Sequence, residues 1–397
     1  MRHLKVLIVL DNLHIGGISR SLLNLLPQLS GMAECDLLVF HRKGLEAVPE
    51  SVHVLQGDDR LHMLGMSQRE ILAYSLPMAI GRGFMVLVSR LLGGDCARRL
   101  LLRKLPKLSG YDVAISFSQD TCYKSISTGC NHYVLEQVDA KKKVAFIHCD
   151  YESFGGYDPR QEKIYGRFDR VVCVSEGCRA SFLRKFPKLE KTTVVCENFT
   201  DGDRVRVLAQ NEPVEYGADK LNIVTVCRLG EEKGLLRAAQ AMNALVRSGK
   251  TAFCWTVVGD GPEKERLLQY INDNGLQAQV RLVGGTDNPY RYMAKADVFL
   301  LPSFHEAAPM VFGECQALGL PILATQTISA EELVTCRQLG TVCPNSTEGI
   351  EQALRQLLEG EEKPKHLPTA VMQKLNDSAH RQLRQLLGDL EWKNEEV

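Results

Sequence analysis

Apolar residues in this chain fall in short unbroken runs separated by amphipathic stretches. The runs are Lys5–Leu10, Cys35–Phe40, Asp112–Phe117, Lys143–His148 and Arg170–Val174, then Leu221–Cys227, Ala252–Val258, Val280–Val283, Val298–Pro302 and Pro321–Ala324. Runs of four to seven residues rich in Val, Ile and Phe, each ending in a glycine or polar turn, predict parallel strands buried on both faces. Helical stretches between them predict βαβ units with right-handed crossovers. The series is interrupted at Phe199–Lys220, polar and without strong periodicity. That break predicts a linker over 201–220, between domains spanning 1–200 and 221–370. An amphipathic helical tail follows over 371–397. The expected fold class is α/β, with two doubly wound domains facing across a cleft.

Composition narrows the function. With 397 residues, 45% of them hydrophobic and 24% charged, the chain is neither disordered, nor collagenous, nor a disulfide scaffold. Lys and Arg total 48, as do Asp and Glu, a balance that argues against a dedicated nucleic-acid binder. The zero is a cancellation: 27 basic and 21 acidic residues occupy 1–200, and 21 and 27 occupy 201–397. The 13 cysteines form no CxxC pair and sit mostly in apolar runs, which predicts reduced thiols and a cytoplasmic setting. The N-terminus enters a strand directly, and no apolar run reaches the ~18 residues of a spanning helix.

Two regions carry candidate chemistry. Gly16 and Gly17 follow the first predicted strand and open a helix whose Leu22, Leu25, Leu26 and Leu29 share one face. Such a turn lets backbone N–H groups approach an anion, or simply makes a tight strand-to-helix corner. A dinucleotide site would require GxGxxG and an acidic end to the second strand. Here GGISR and Phe40-His41-Arg42 stand instead, which disfavours an NAD-dependent oxidoreductase. In the second region, SFHEAAPMVFGECQALGLPILAT, Glu306 and Glu314 flank Pro309, with seven residues between the two acids. Proline suits a first helical turn, after which the amides of Met310 and Val311 would face an anion with the helix dipole behind them. Two carboxylates beside an anion site suit the hydroxyls of a sugar and a ribose. Arg228 and Lys233, in CRLGEEKG after the first strand of the second domain, would meet a diphosphate from the other side.

Together, CRLGEEKG, VVGDGPEKERL and VRLVGGTDNPYRYMAKADVFLLPSFHEAAPMVFGECQALGLPILAT resemble retaining GT-B glycosyltransferases of the family-4 type. The likeness is strongest over Leu221–Thr325. The paired glutamates match that family's E-x7-E motif, GGISRSL matches its glycine loop, and DNPYRYMAKADVFLLPS resembles its bacterial capsule, exopolysaccharide and O-antigen members. The resemblance implies a GT-B fold and transfer of a hexosyl-type sugar from a UDP- or GDP-linked donor to a glycan or polyprenyl-linked acceptor. It also implies retention of configuration by front-face substitution, with neither cofactor nor metal. Carried over, Glu306 would contact donor-sugar hydroxyls and Glu314 the ribose. Arg228, Lys233 and the amides of Gly17, Met310 and Val311 would hold the diphosphate, while His148 would lie near the anomeric carbon. In such proteins the C-terminal tail packs back on the first domain. Two positions depart from the pattern: Ala307-Ala308 replace the usual glycine after the first Glu, and QTISAEEL replaces a glycine-containing loop.

Between Arg82 and Lys107 stand Arg82, Arg90, Arg98, Arg99, Arg103, Lys104 and Lys107 against one acid, Asp95, interleaved with Leu, Met and Phe. The mixture suits either an interfacial helix on the anionic inner face of the cell membrane or amphipathic helices packed on the sheet. A catalytically idle scaffold of the same fold is the other class left open. The four charged residues Glu306, Glu314, Arg228 and Lys233 speak against it.

Overall fold

The computed structural model describes residues 4–14, 16–119, 126–360 and 362–391. The chain divides into two compact units, Met1–Phe199 with Ser378–Val397, and Thr200–Asp377.

The N-terminal unit is built on seven parallel strands: β1 (Leu4–Asn12), β2 (Ala33–His41), β3 (Val52–Val54), β4 (Leu108–Ser116), β5 (Val138–Ile147), β6 (Arg170–Cys173) and β7 (Thr193–Val195). Their order is β3-β2-β1-β4-β5-β6-β7. The second unit has β8 (Leu221–Val226), β9 (Phe253–Val258), β10 (Val280–Gly284), β11 (Val298–Leu301), β12 (Ile322–Thr325) and β13 (Gly340–Cys343), also parallel, ordered β10-β9-β8-β11-β12-β13. Central strands are buried on both faces: Val6 to Leu10 are fully inaccessible, as are Val224, Trp255 and Phe299. Unbroken apolar runs are what such strands require.

In each sheet the strand order reverses once, between β1 and β4 and between β8 and β11. At such a switch point adjacent strands send their connections to opposite faces, leaving a crevice at the carboxyl edge. Gly16 and Gly17 leave the first switch point. Arg228 with Lys233 and the Ser303–Glu306 loop leave the two strands of the second.

All ten apolar runs lie on strands. The three strands without a predicted run, β3, β7 and β13, are edge strands of three or four residues. The stretch read as linker is partly helical. Asp201 accepts from the Arg204 N–H (3.0 Å) and caps the helix Gly202–Ala209, whose Val205 and Ala209 join the second unit's core. In the tail, the helix Asp377–Glu391 sends Ala379, Leu383, Leu386 and Leu387 into the N-terminal core beside Leu25, Leu29 and Phe199.

Candidate active site

In the second unit Lys233 and Glu306 meet. Lys233 closes a single helical turn after β8, and its Nζ donates to Glu306 Oε1 at 2.5 Å. Ser303 Oγ donates to the same oxygen at 2.8 Å. Burial works against the charge on Lys233, yet the Glu306 carboxylate outweighs it and raises its pKa. The lysine is therefore charged and held in place. Lys233 turns in from its strand end because Gly234 follows it in the left-handed region (φ 63°), where a Cβ would stand 2.1 Å from the Pro302 carbonyl oxygen.

The loop carrying Glu306 is held from beneath. Arg237, buried in the helix Leu235–Arg247, donates to Pro302 O through Nε (3.0 Å) and Nη2 (2.7 Å), and to Ser303 O through Nη2 (2.9 Å). Its guanidinium lies 3.9 Å from the centroid of the Phe304 ring. Thr325 Oγ1, at the end of β12, adds a 2.6 Å bond to Ser303 O. Charged donors on these loop carbonyls, with the Thr325 hydroxyl beside them, make this loop rigid. Ser303, Arg237 and Thr325 escaped the sequence reading. Arg237 had one available signal: it stands among Leu235, Ala238, Ala239 and Met242, all buried, where an arginine needs fixed acceptors.

Downstream lies the helix Met310–Leu318. Pro309 occupies its N-cap with extended ψ, one position before the first-turn place expected of it. The first helical bond runs from the Phe312 N–H to Pro309 O (3.1 Å), so the amides of Met310 and Val311 precede the hydrogen-bonded ladder, at the positive end of the dipole. Glu314 is buried one turn in, where Tyr290 Oη donates to its Oε1 at 3.0 Å. Glu314 thus has a partner within the protein that the sequence did not suggest. Arg228 is largely exposed and donates to Glu232 Oε1 at 2.5 Å.

In the N-terminal unit Gly16 is the N-cap of the helix Gly17–Ser30. A Cβ at Gly17 would meet nothing within 4 Å, so the fold itself does not demand glycine there. His148 lies just beyond β5. Its ring centroid is 4.7 Å from that of Phe117 and 5.9 Å from that of Phe146, and its N–H donates to Gln119 Oε1 (3.2 Å). Burial pushes its pKa down to about 4, against a smaller raising effect from a bond to the Phe117 backbone. His148 is therefore a neutral imidazole near pH 7, and among the described residues its Nε2 has no hydrogen-bond partner.

Among the described residues one cluster has metal-ligand types: His14, His41 and Glu70, with ligand atoms within 4.8 Å of one another. His14 Nε2 and His41 Nδ1 are 3.3 Å apart. Glu70 accepts from the Ser67 N–H (2.8 Å), closing a capping box. The 12 cysteines among the described residues are free thiols.

The cation-rich segment is only partly a charged surface. Arg82 is buried, donating to Met63 O (3.0 Å) and Gln68 Oε1 (2.9 Å). Arg98 is 1% exposed and paired with Asp95 (3.1 Å), and Arg99 is paired with Glu136 (3.0 Å). Arg82 and Arg98 hold the helices together, and the exposed cations are Arg90, Arg99, Arg103, Lys104 and Lys107.

Two Rossmann-like units with these switch points define the GT-B fold. HepE from Anabaena, solved with UDP bound, superposes over 97% of this chain and all of its own with a TM-score of 0.67 at 17% identity, a likeness of fold. Residues 210–372 match the family of glycosyl transferases group 1. Curated relatives include the amylovoran biosynthesis glycosyltransferase AmsK of Erwinia amylovora, 35% identical over 146 residues, which are 35% of each chain. The lipopolysaccharide core biosynthesis glycosyltransferase LpsE of Rhizobium meliloti is 27% identical over 203 residues, 50% of this chain and 57% of its own. The matched stretches thus span about a third to just over half of these relatives' lengths.

Proposed function

We propose that the chain is a retaining glycosyltransferase that moves a hexosyl-type sugar from a UDP- or GDP-linked donor to a glycan or polyprenyl-linked acceptor in cell-surface polysaccharide synthesis. The Lys233–Glu306 pair carries the reading: a fixed cation and carboxylate on a clamped loop, at a switch point, just before a helix N-terminus. The developing charge on the departing nucleoside diphosphate is what such a site must stabilise, and preorganised donors do this best. Lys233, Arg228 and the amides of Met310 and Val311 supply positive potential in the second unit, and the Gly17 amide is assigned to the same phosphates. Glu306 is assigned to the donor-sugar hydroxyls. Glu314 is assigned to the ribose, with Tyr290 orienting its carboxylate. His148, held neutral, is assigned to the neighbourhood of the anomeric carbon as a hydrogen-bonding group rather than a cation. The donor phosphate takes the acceptor's proton, no enzyme nucleophile takes part, and no metal is required.

The names of AmsK and LpsE support a place in polysaccharide or lipopolysaccharide assembly. HepE solved with UDP and glucose supports the donor class. Thermal stabilisation by UDP, GDP, ADP and NAD is the direct test. The expected result is a rise in Tm with one of the first two, unaffected by EDTA. No shift with any nucleoside diphosphate, or a shift with NAD alone, overturns the reading. Glu306→Gln should keep the nucleotide-induced shift and lower donor turnover by about 100-fold or more, the scale of losing one transition-state contact.

A further inference from the structure

The helices of residues 68–102 leave a surface that the catalytic reading does not use. Twelve large hydrophobic side chains are conspicuously exposed among the described residues, and nine lie between Leu72 and Leu100. Five of them, Leu76, Ile80, Phe84, Leu87 and Leu91, recur every three or four residues along the helix Leu76–Leu92 and are 53–73% exposed. That spacing puts them on one face. The opposite face, Ala79, Arg82, Met85 and Ser89, is buried, so the helix is already docked through its other side. A monomeric soluble protein rarely leaves an apolar stripe of this length open to water.

Charge indicates what covers it. Arg90 stands beside the stripe on the same helix, and Arg103, Lys104 and Lys107 are exposed just beyond the following helix, Gly94–Leu102. Over residues 71–107 the sole acid is Asp95, and it is taken up by Arg98. An apolar stripe flanked by cations that have no acidic partner among the described residues is complementary to an anionic lipid surface, into which such a face sinks while the cations meet headgroups.

We infer that the helix Leu76–Leu92 lies in the interface of an anionic bilayer, inserting Leu76, Ile80, Phe84, Leu87 and Leu91. Insertion comes from the apolar stripe, and the four cations set the preference for anionic lipid. Arg82 and Arg98 take no part, being interior side chains. The inference does not depend on the catalytic assignment.

Flotation of the full chain with phosphatidylglycerol/phosphatidylethanolamine vesicles and with phosphatidylcholine vesicles tests it. The expected result is flotation with the anionic vesicles that survives high salt in part, because screening acts on the cations alone. Ile80→Ser with Phe84→Ser, both on exposed positions, should cut partitioning about tenfold or more without moving Tm. Arg90→Gln with Arg103→Gln, Lys104→Gln and Lys107→Gln should remove the anionic preference. Phe84→Trp should show a blue shift of emission on adding the anionic vesicles, a readout that needs no destabilising change. Equal flotation of the Ser variant, no shift from the Trp variant, or a dimer in solution that the Ser variant dissolves would each overturn it. UDP or GDP stabilisation measured on the same samples reports the active site separately, so either conclusion can fail alone.

Discussion

Lys233 and Glu306 each satisfy a charge that burial would otherwise make expensive, and the cost of separating them is asymmetric. Lys233→Met leaves a poorly solvated carboxylate facing Ser303, and should destabilise the fold as well as donor binding. Glu306→Gln keeps an acceptor for the lysine while removing its counter-charge, so it should cost less stability than Lys233→Met and act mainly on catalysis. His148 makes a prediction of a different kind. Its folded pKa of about 4 is below the ordinary value of 6.5, so between those values the unfolded chain binds the extra proton. Stability is then full above about pH 6.5 and declines as pH falls toward 4, by up to roughly 3 kcal/mol. Denaturant melts at pH 7 and pH 5 should show that slope, and His148→Phe should flatten it. Two glycines divide in the same way between fold and function. Gly234→Ala collides with the Pro302 carbonyl from a left-handed backbone and should cost about 2 kcal/mol or more. Gly17→Ala meets open space and extends a good helix. It should leave Tm unchanged or higher while raising the KM for donor, if the Gly17 amide approaches phosphate.

At the scale of elements, the loop after β11 acts as a unit with the helix Leu235–Arg247 beneath it. Arg237→Met should remove three charged bonds to Pro302 and Ser303, lower stability by about 2–4 kcal/mol, and depress turnover by loosening Glu306. Arg237→Lys should restore little of either, because one ammonium cannot reproduce the forked contacts. Denaturant titration and donor-turnover assays on both variants check this. The central strands were legible because burial on both faces leaves only apolar residues in them. The edge strands β3, β7 and β13 were not, since three or four half-covered residues carry no run. The helix Gly202–Ala209 was hidden by composition: its buried side is Gly202, Val205 and Ala209 with Leu208 half-covered, and Asp201 was the cap among polar neighbours. The charged pair could be guessed from its motif, but the arginine behind it could not. Its contacts are to two adjacent backbone carbonyls of the loop after β11, 65 residues away in sequence.

At the scale of the whole molecule, the helix Asp377–Glu391, the last among the described residues, belongs to the first unit. Truncation after Asp377 should strip Ala379, Leu383, Leu386 and Leu387 from the N-terminal core. At ~1.5–3 kcal/mol for each fully buried large side chain, the loss rivals the stability of an ordinary domain. Hydrogen exchange on the truncated chain should then show β1, β2 and β4 unprotected while β8, β9 and β11 stay protected. Equal protection in both units would show that the helix is dispensable. The cation-rich segment also looks different at this scale. Its net charge, visible in the sequence, combined interior arginines with exposed ones, and only burial separates the two.

The same returning helix bears on how the protein is made. Residues 200–377 form a continuous stretch with every strand of its sheet in hand once that stretch has left the ribosome. The N-terminal unit, although synthesised first, must wait for residues 378–391 before its core is covered. The usual order, in which the earlier domain folds ahead of the later one, should therefore be reversed. A nascent chain stalled before residue 378 would carry a finished second unit and an open first one, and would draw on chaperones at that point.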